Sequence, residues 1–396
     1  MFHPEVKFDY SRNQVPDPDP ENALSFLDGH GRSVPNGPAP GTATKTGGST
    51  EVYLGLVDTV MADFFAGSKA RAAQLTPRFA KLWDSLEETT LGGKRFRPLM
   101  VWTAYKGLDG SQMLNAAQIG TAFELLHTAF IIHDDVVDRD FVRRGRPNLS
   151  GRYLQQAKAA GLPAGEAKHR AMSVAVVAGD LALFNAYRLI DRSEVGETVR
   201  TRLLEILDDA IMASAAGELL DIEYSFPDAD ISASDIIGME QLKTAVYSFE
   251  APLKAGAVLA GANDQTIAEL GKIGRDMGIA YQIVDDLLGV FGHEVGTGKS
   301  TLGDLREGKR TVLMGYAATQ SEWPAIAAHL GNPDLSHTQA DAVRKLLTTS
   351  GSRRNAERLA RSFADQGLEG LSSAHIPEAL RKRLENLIAA VIARTR

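Results

Sequence analysis

The chain has no cysteine among its 396 residues, so disulfides, thiolate-bound metals and a cysteine nucleophile are excluded. It also lacks the run of roughly 18 apolar residues that a membrane span needs, and its first residues lack the apolar segment of a signal peptide. The net charge of -7 argues against nucleic acid as a main partner. We therefore expect a large soluble protein in the cytoplasm, with no membrane span and no nucleic-acid partner.

Alternating runs of β-branched residues are scarce, and from Tyr53 onward apolar residues recur with the period of an α-helix. Breaks containing glycine or proline divide this region into about ten or more helices. The sequence therefore predicts an all-α fold, a single large helical bundle, for residues 51–396. Residues 1–50 are rich in proline and glycine instead, which predicts a flexible extension without a core.

A cluster of carboxylates lies at the end of a helix that is apolar on almost every side, which is typical of a buried helix. The polar residues of this helix form one stripe at spacings of three and four: Glu124, His127, Thr128, Asp134, Asp135 and Asp138. Like charges four residues apart, such as Asp134 and Asp138, destabilise a helix, and burial adds to the cost. The stripe therefore predicts a wet cavity in which the carboxylates hold a hard divalent cation.

A second acidic pair, Asp285-Asp286, ends another apolar stretch, but the residue one turn later is Gly289 and not a third carboxylate. Most Asp-Asp pairs in proteins belong to solvated acidic faces. Asp208-Asp209 serves as an internal comparison, because no basic loop follows it and we interpret it as ordinary surface. The first cluster therefore indicates a metal site by itself, whereas the second depends on the residues around it.

Five basic segments accompany the acidic clusters: Lys94-Arg95-Phe96-Arg97, Arg143-Arg144, Lys243-Thr244, Gly298-Lys299 and Lys309-Arg310. Each alone is consistent with a solvated loop, but cationic side chains beside glycine turns and helix N-termini favour phosphate binding. A nucleotide-binding P-loop is excluded, because it needs glycine five residues before Gly298, where the chain has His293. We therefore expect a phosphorylated substrate that is bound through metal ions and cations together.

These motifs resemble those of the trans-isoprenyl diphosphate synthases, or polyprenyl synthetases, in the short-chain geranylgeranyl and farnesyl diphosphate synthase branch. The resemblance extends from about residue 55 to the C-terminus. Its ordered segments are Gly92–Pro98, Glu124–His127, His133–Asp138, Arg143–Pro147, Ala178–Asp180, Lys243–Thr244, Tyr281–Asp286 and Gly298–Lys299. It implies a helical prenyltransferase domain around a deep central cavity, usually paired into a homodimer.

The resemblance also implies a head-to-tail (1'-4) condensation of isopentenyl diphosphate with an allylic diphosphate, giving a short all-trans prenyl diphosphate. Three Mg2+ ions would be held with the diphosphate by Asp134, Asp138, Asp285 and Asp286, with Asp135 in the same catalytic cluster. The allylic diphosphate would be bound by Arg143, Lys243, Lys299 and Lys309. The diphosphate of isopentenyl diphosphate would be bound by Lys94, Arg97, His127 and Arg144. Two polar residues near the reacting carbon would be Thr244 and Gln282.

Two positions depart from the usual pattern of this family. Gly289 stands where many relatives carry a third Asp, which weakens one metal site, and Glu218 replaces a common Gln, which removes an amide donor. Product length should depend on the helix face below Asp134. The predicted floor, on which the growing tail stops, consists of Ala129, Phe130 and Leu126. We expect a twenty-carbon product, with fifteen carbons as the alternative.

Three other functions compete with this interpretation. A class I terpene cyclase shares the aspartate-rich helix but needs no isopentenyl diphosphate site, so Lys94, Arg97 and Arg144 argue against it. A non-catalytic subunit of a heteromeric prenyl synthase would be expected to lose acidic or basic motif residues, and this chain keeps them. A calcium-binding helical protein would have no need for the paired cationic turns.

Overall fold

The computed structural model describes residues 48–91, 93–143, 145–226, 231–292, 301–373 and 375–394, so the extension predicted for residues 1–50 lies almost wholly outside it. The described part is helical apart from one short hairpin, which confirms the all-α prediction. The helices are α1 (Ser49–Leu75), α2 (Pro77–Thr90), α3 (Phe96–Gly107), α4 (Met113–Val137), α5 (Leu149–Ala159), α6 (Ala164–Asp191), α7 (Glu197–Tyr224), α8 (Ala233–Glu240), π1 (a π-helix, Gln241–Glu250), α9 (Ala251–Leu259), α10 (Asp264–Phe291), α11 (Gly303–Glu307), α12 (Val312–Ala317), α13 (Trp323–Ala327), α14 (His337–Thr349), α15 (Ser352–Gly370) and α16 (Glu378–Ala393).

The sequence breaks at Leu91, Gly161, Phe226 and Gly351 coincide with the ends of helices, as predicted. The break between α1 and α2, at Thr76-Pro77, was not predicted. The side chain of Thr76 accepts a hydrogen bond from the backbone N–H of Phe79, and proline at the first helical position has no N–H to leave unsatisfied. These two residues therefore start a new helix without any glycine.

Two hydrophobic core clusters meet along α10. Met277 and Ala280 belong to the larger cluster, which joins the N-terminal and middle helices, and Ile283 and Leu287 belong to the smaller one, which joins α8 and α10 to α15. The π-helix π1 contacts α4, α7 and α10. It therefore joins the two helices that carry the acidic clusters.

The segment from α8 through π1 to α9 is one continuous helix, and its middle part has the wider π-helical winding. Such irregular turns are frequent at functional sites. Gly217 of α7 packs against this turn, and a Cβ at that position would lie only 2.6 Å from the Cα of Lys243. Glycine is therefore required for α7 to come close enough to surround the Lys243 side chain.

The only strands in the described ranges are β1 (Val142–Arg143) and β2 (Arg146–Pro147), which pair antiparallel soon after α4 ends. Arg139 just past the end of α4 has φ of 58°, and Gly145 in the hairpin turn has φ of 71°. These two left-handed residues reverse the chain and direct Arg143 back toward the end of α4.

Helix α6 is long and apolar enough to cross a membrane by length and composition, with 39% of its most apolar stretch buried. Three of its apolar side chains are exposed, Val176, Val177 and Phe184. Met212 and Leu219 are exposed on the neighbouring α7. Together, these five residues form what we call the α6–α7 apolar face.

Candidate active site

The first acidic cluster lies where α4 ends. The side chains of Asp134 and Asp138 are 25% and 24% exposed, whereas the side chain of Asp135 is 3% exposed. The backbone N–H of Asp138 donates to the carbonyl of Asp134 over 2.8 Å, so these two residues are one helical turn apart on the same face. Asp134 and Asp138 therefore face the site, and Asp135 points into the protein.

Three cations contact this cluster. Arg143 of β1 bridges Asp134 and Asp135, with Nη2–O distances of 3.1 and 2.8 Å. Lys243 of π1 lies 3.1 Å from Asp134, and Lys309 lies 3.5 Å from Asp138. The structure thus brings together residues of four different segments that the sequence assigned to one diphosphate site.

Lys243 is surrounded by carboxylates on two helices. Besides Asp134, its Nζ contacts Glu218 at 3.0 Å and Asp221 at 2.6 Å, both on α7. Burial lowers the pKa of Lys243, but the three carboxylates outweigh it and raise the pKa above its usual value. Glu218 accepts from Lys243 and needs no amide group to do so.

The pKa values of the three aspartates differ with their surroundings. Burial raises the pKa of Asp135 and of Asp138 to about 6 in each case. Burial acts on Asp134 in the same direction, but Lys243 and then Lys309 and Arg143 outweigh it and lower its pKa. Asp134 is therefore the carboxylate that the surrounding cations hold most firmly in its ionised form.

Carboxylate oxygens are the ligands that Mg2+ prefers in proteins. The acidic groups at this site, Asp134, Asp135, Asp138, Glu218 and Asp221, outnumber the basic groups, Arg143, Lys243 and Lys309. An excess of negative charge remains, which a divalent cation would neutralise. Within the described ranges no group of three or more acidic or histidine side chains is already arranged to hold a metal ion. The donor set fits Mg2+ by its chemistry and its excess charge.

The second acidic cluster lies near the end of α10, and its two aspartates differ. Asp285 accepts from Nη2 of Arg394 at 3.1 Å, and the Arg394 guanidinium lies over the Tyr281 ring at 4.4 Å. Asp286 is buried and accepts from Gln282 at 2.9 Å. Burial raises the pKa of Asp286 to about 7. Asp285 is thus the more accessible of the two predicted metal ligands.

A separate polar group lies between α3, α4 and π1. The hydroxyl of Tyr247 is 3.1 Å from Nη2 of Arg97 and 3.1 Å from Nδ1 of His127. Arg97 also donates to the hydroxyl of Ser248 at 2.8 Å. Tyr247 and Ser248 were not predicted, although they follow Lys243 by one turn of the same helix. This group contains two of the residues predicted to bind isopentenyl diphosphate.

Other predicted residues have less defined surroundings. Lys94 is exposed just before α3, and Thr244 is half-buried on π1 beside Lys243. Arg144 and Lys299 lie outside the described residues. Their roles stay predictions, as does the deep cavity.

Two residues that the sequence associated with the site are structural instead. Glu124 was expected on the wet stripe of α4, but its side chain is 5% exposed and forms an ion pair with Arg95 at 3.2 Å. Arg95 was counted among the phosphate-binding cations, and its side chain is also buried, with 9% exposed. This correction arises because the two residues face each other across the contact between α1, α3 and α4.

The predicted floor residues of α4 differ in their exposure. Leu126 and Ala129 are fully buried in the core. Phe130 is half-buried, and the edge of its ring contacts Tyr247 at a centroid distance of 4.9 Å. Of the three, Phe130 is therefore the one next to the polar groups of π1.

Comparisons with known proteins identify the family of the chain. The polyprenyl synthetase family model matches residues 80–347. The chain is 34% identical over 265 residues to a geranylgeranyl diphosphate synthase of Sulfolobus acidocaldarius, covering 65% of this chain and 74% of that one. It is 32% identical over 308 residues to a geranylfarnesyl diphosphate synthase of Aeropyrum pernix, covering 77% and 91%.

A solved structure has the same fold. It is a geranylgeranyl pyrophosphate synthase from Corynebacterium glutamicum in complex with isoprenyl diphosphate and magnesium, with a TM-score of 0.80 and 29% identity, covering 87% of this chain and 98% of that one. The fold and the site define a helical prenyltransferase. The chain belongs to the polyprenyl synthetase family, whose members depend on Mg2+.

Proposed function

We propose that this enzyme condenses isopentenyl diphosphate with an allylic diphosphate and releases geranylgeranyl diphosphate. The observation that carries the proposal is the presence of two separate polar groups. Arg143, Lys243 and Lys309 gather on the Asp134 cluster, while Arg97 and His127 meet at Tyr247. Two such groups suit two diphosphates, whereas a terpene cyclase binds one. Relatives with named products include geranylgeranyl diphosphate synthases, which favours twenty carbons.

In this proposal, Asp134, Asp138 and Asp285 would hold three magnesium ions, which would supply positive charge to the allylic diphosphate. Lys243 and Arg143 bind oxygens of the same group and stabilise the charge that develops as its C–O bond breaks. The carboxylates that pair with Lys243 and Arg143 would keep these two side chains directed into the site.

The second substrate is held by the other polar group. Arg97 and His127 bind the diphosphate of isopentenyl diphosphate, so that its double bond lies close to the allylic carbon and forms the new C–C bond. The released diphosphate accepts the proton that is then lost. Excess water would capture the allylic cation, so the apolar walls of α4 and α10 protect it.

The direct test is incubation with Mg2+, isopentenyl diphosphate and dimethylallyl, geranyl or farnesyl diphosphate, followed by sizing of the products. We expect elongation to twenty carbons. A fifteen-carbon end product would favour a farnesyl diphosphate synthase, and cyclised hydrocarbon would favour a terpene cyclase. No elongation with any primer would reject the proposal.

Phe130→Ala should lengthen the main product by at least one five-carbon unit. The Phe130 ring is held edge-on against Tyr247 one turn below Asp134, and alanine would remove the ring from the path of the growing tail. Phe130→Leu retains much of the volume and should change the product less. Chain-length analysis by mass spectrometry measures both, and an unchanged product from Phe130→Ala would show that this ring is not the floor.

We also propose a cytoplasmic homodimer built on the α6–α7 apolar face. Phe184 is 68% exposed and Met212 67%, and clustered apolar side chains of this kind mark protein interfaces. Covering the α6–α7 apolar face with a second copy would also account for the apolar character of α6 without a membrane.

Phe184→Glu should therefore convert the dimer into a monomer, because a carboxylate cannot be buried at the centre of an apolar interface without a partner. Light scattering after size exclusion measures the change. Leu75→Glu is the matched control, since Leu75 is 71% exposed but lies at the end of α1. A wild-type monomer, or a Phe184→Glu dimer, would contradict this assembly.

A further inference from the structure

Gly289 lies one turn after Asp285 on α10, at the place where a third carboxylate would complete the second acidic cluster. The side chain of Asp304, from the first turn of α11, approaches this glycine directly. A Cβ built on Gly289 would overlap the Oδ2 atom of Asp304 and would lie 2.9 Å from its Cγ and 3.5 Å from its Oδ1. The carboxylate of Asp304 thus occupies the space into which any side chain at position 289 would extend.

Asp304 is also close to the charged groups of the site. Burial raises the pKa of the Asp286 carboxyl group to about 7, and the negative charge of Asp304 acts in the same direction. Burial lowers the pKa of Lys309, but Asp138, Glu307 and Asp304 together outweigh it and raise that pKa. The Asp304 carboxylate therefore lies within electrostatic reach of both the second acidic pair and a lysine that contacts the first cluster.

A second observation is that buried carboxyl groups accumulate at this end of α10. Glu240 is 4% exposed, and its carboxyl group lies within hydrogen-bond reach of the Asp286 carboxyl group. The Oδ2 atom of the buried Asp286 accepts no hydrogen bond from an N–H or hydroxyl group within the described ranges. Buried carboxyl groups without donors are costly, and a cation bound nearby reduces that cost.

We propose that Asp304 supplies the third carboxylate that Gly289 cannot, and that it joins Asp285 in holding a divalent cation. The carboxylate is delivered from the segment after α10 instead of from α10 itself. Gly289 then strengthens the site, because any side chain at that position would displace Asp304. The proposal depends on the proposed function in one respect: it takes a diphosphate as the ligand that binds the cation together with the two carboxylates.

The test measures cation binding directly, by electron paramagnetic resonance of Mn2+ titrated into the enzyme with inorganic pyrophosphate. Asp304→Asn keeps the shape of the side chain and removes its charge. It should weaken one class of Mn2+ site at least tenfold and leave the others unchanged. The matched control is Asp264→Asn, the same change in the first turn of α10, where the side chain is exposed and pairs with Arg202. This control should bind Mn2+ as the wild type does.

A positional exchange then tests the role of Gly289. Asp304→Ala should lose the same Mn2+ site, and adding Gly289→Asp to that variant should restore at least part of the affinity, because the new carboxylate fills the vacated space. Circular dichroism establishes that each variant is folded. Wild-type Mn2+ affinity and stoichiometry in Asp304→Asn, or no recovery in a folded double variant, would overturn the proposal. Since no prenyl substrate is present, this result is independent of the elongation assay, which alone tests the proposed function.

Discussion

Asp134→Asn should reduce kcat by about 10³-fold, the size of effect expected when a preorganised electrostatic contact to the transition state is removed. Asp134 is the one residue of the first cluster that contacts both Arg143 and Lys243. Asparagine preserves its shape but removes a metal ligand and leaves two cations without their shared counter-charge. The effect therefore combines weaker binding of the metal ion with poorer positioning of the two cationic side chains that bind the allylic diphosphate.

The same change should leave KM for isopentenyl diphosphate nearly unchanged, because Arg97 and His127 meet at Tyr247, away from Asp134. Steady-state kinetics with a saturating allylic primer separates the two parameters. Asp209→Asn, on an exposed acidic pair of α7, is the matched control and should retain full activity. A loss of less than tenfold in kcat for Asp134→Asn would contradict the role assigned to this carboxylate.

The first acidic cluster could be predicted because its signal is local. A helix that is apolar on almost every side and ends in carboxylates four residues apart must either bind a cation or bear a large cost, and no distant residue is needed to see this. The spacing alone could not distinguish Asp135 from its neighbours. Its inward orientation depends on Arg143, which a two-residue hairpin turns back onto it.

The contacts that were missed join residues far apart in the chain. Arg394 pairs with Asp285 across 109 positions, and Tyr247 meets His127 across 120. Periodicity reports which face of a helix is buried, but it does not report which helix covers that face. The same limit explains Glu124, which was expected on the wet stripe of α4 but is buried against Arg95.

Removing Arg95, the partner of Glu124, should have the largest effect on stability. Arg95 lies just before α3 with φ of 52°, and its side chain donates to Asp58 and to the carbonyl of Thr90 as well as to Glu124. Arg95→Met should lower the free energy of unfolding by about 3–5 kcal/mol, the usual cost of leaving one member of a buried ion pair without its partner. Thermal and urea denaturation measure this loss.

The reason for this loss is that Glu124 cannot be solvated where it lies. Its Oε1 atom approaches Gly93 so closely that a Cβ there would be 2.7 Å away, and its Oε2 atom is buried with no donor in the described part of the chain. Without the guanidinium, the buried carboxylate would have no cationic partner or would push the segment before α3 outward. Glu124→Gln added to Arg95→Met should therefore recover part of the stability, because it removes the unpaired charge. If the double variant were less stable than Arg95→Met by the full effect of Glu124→Gln alone, the two residues would not be coupled and the ion pair would not be the cause.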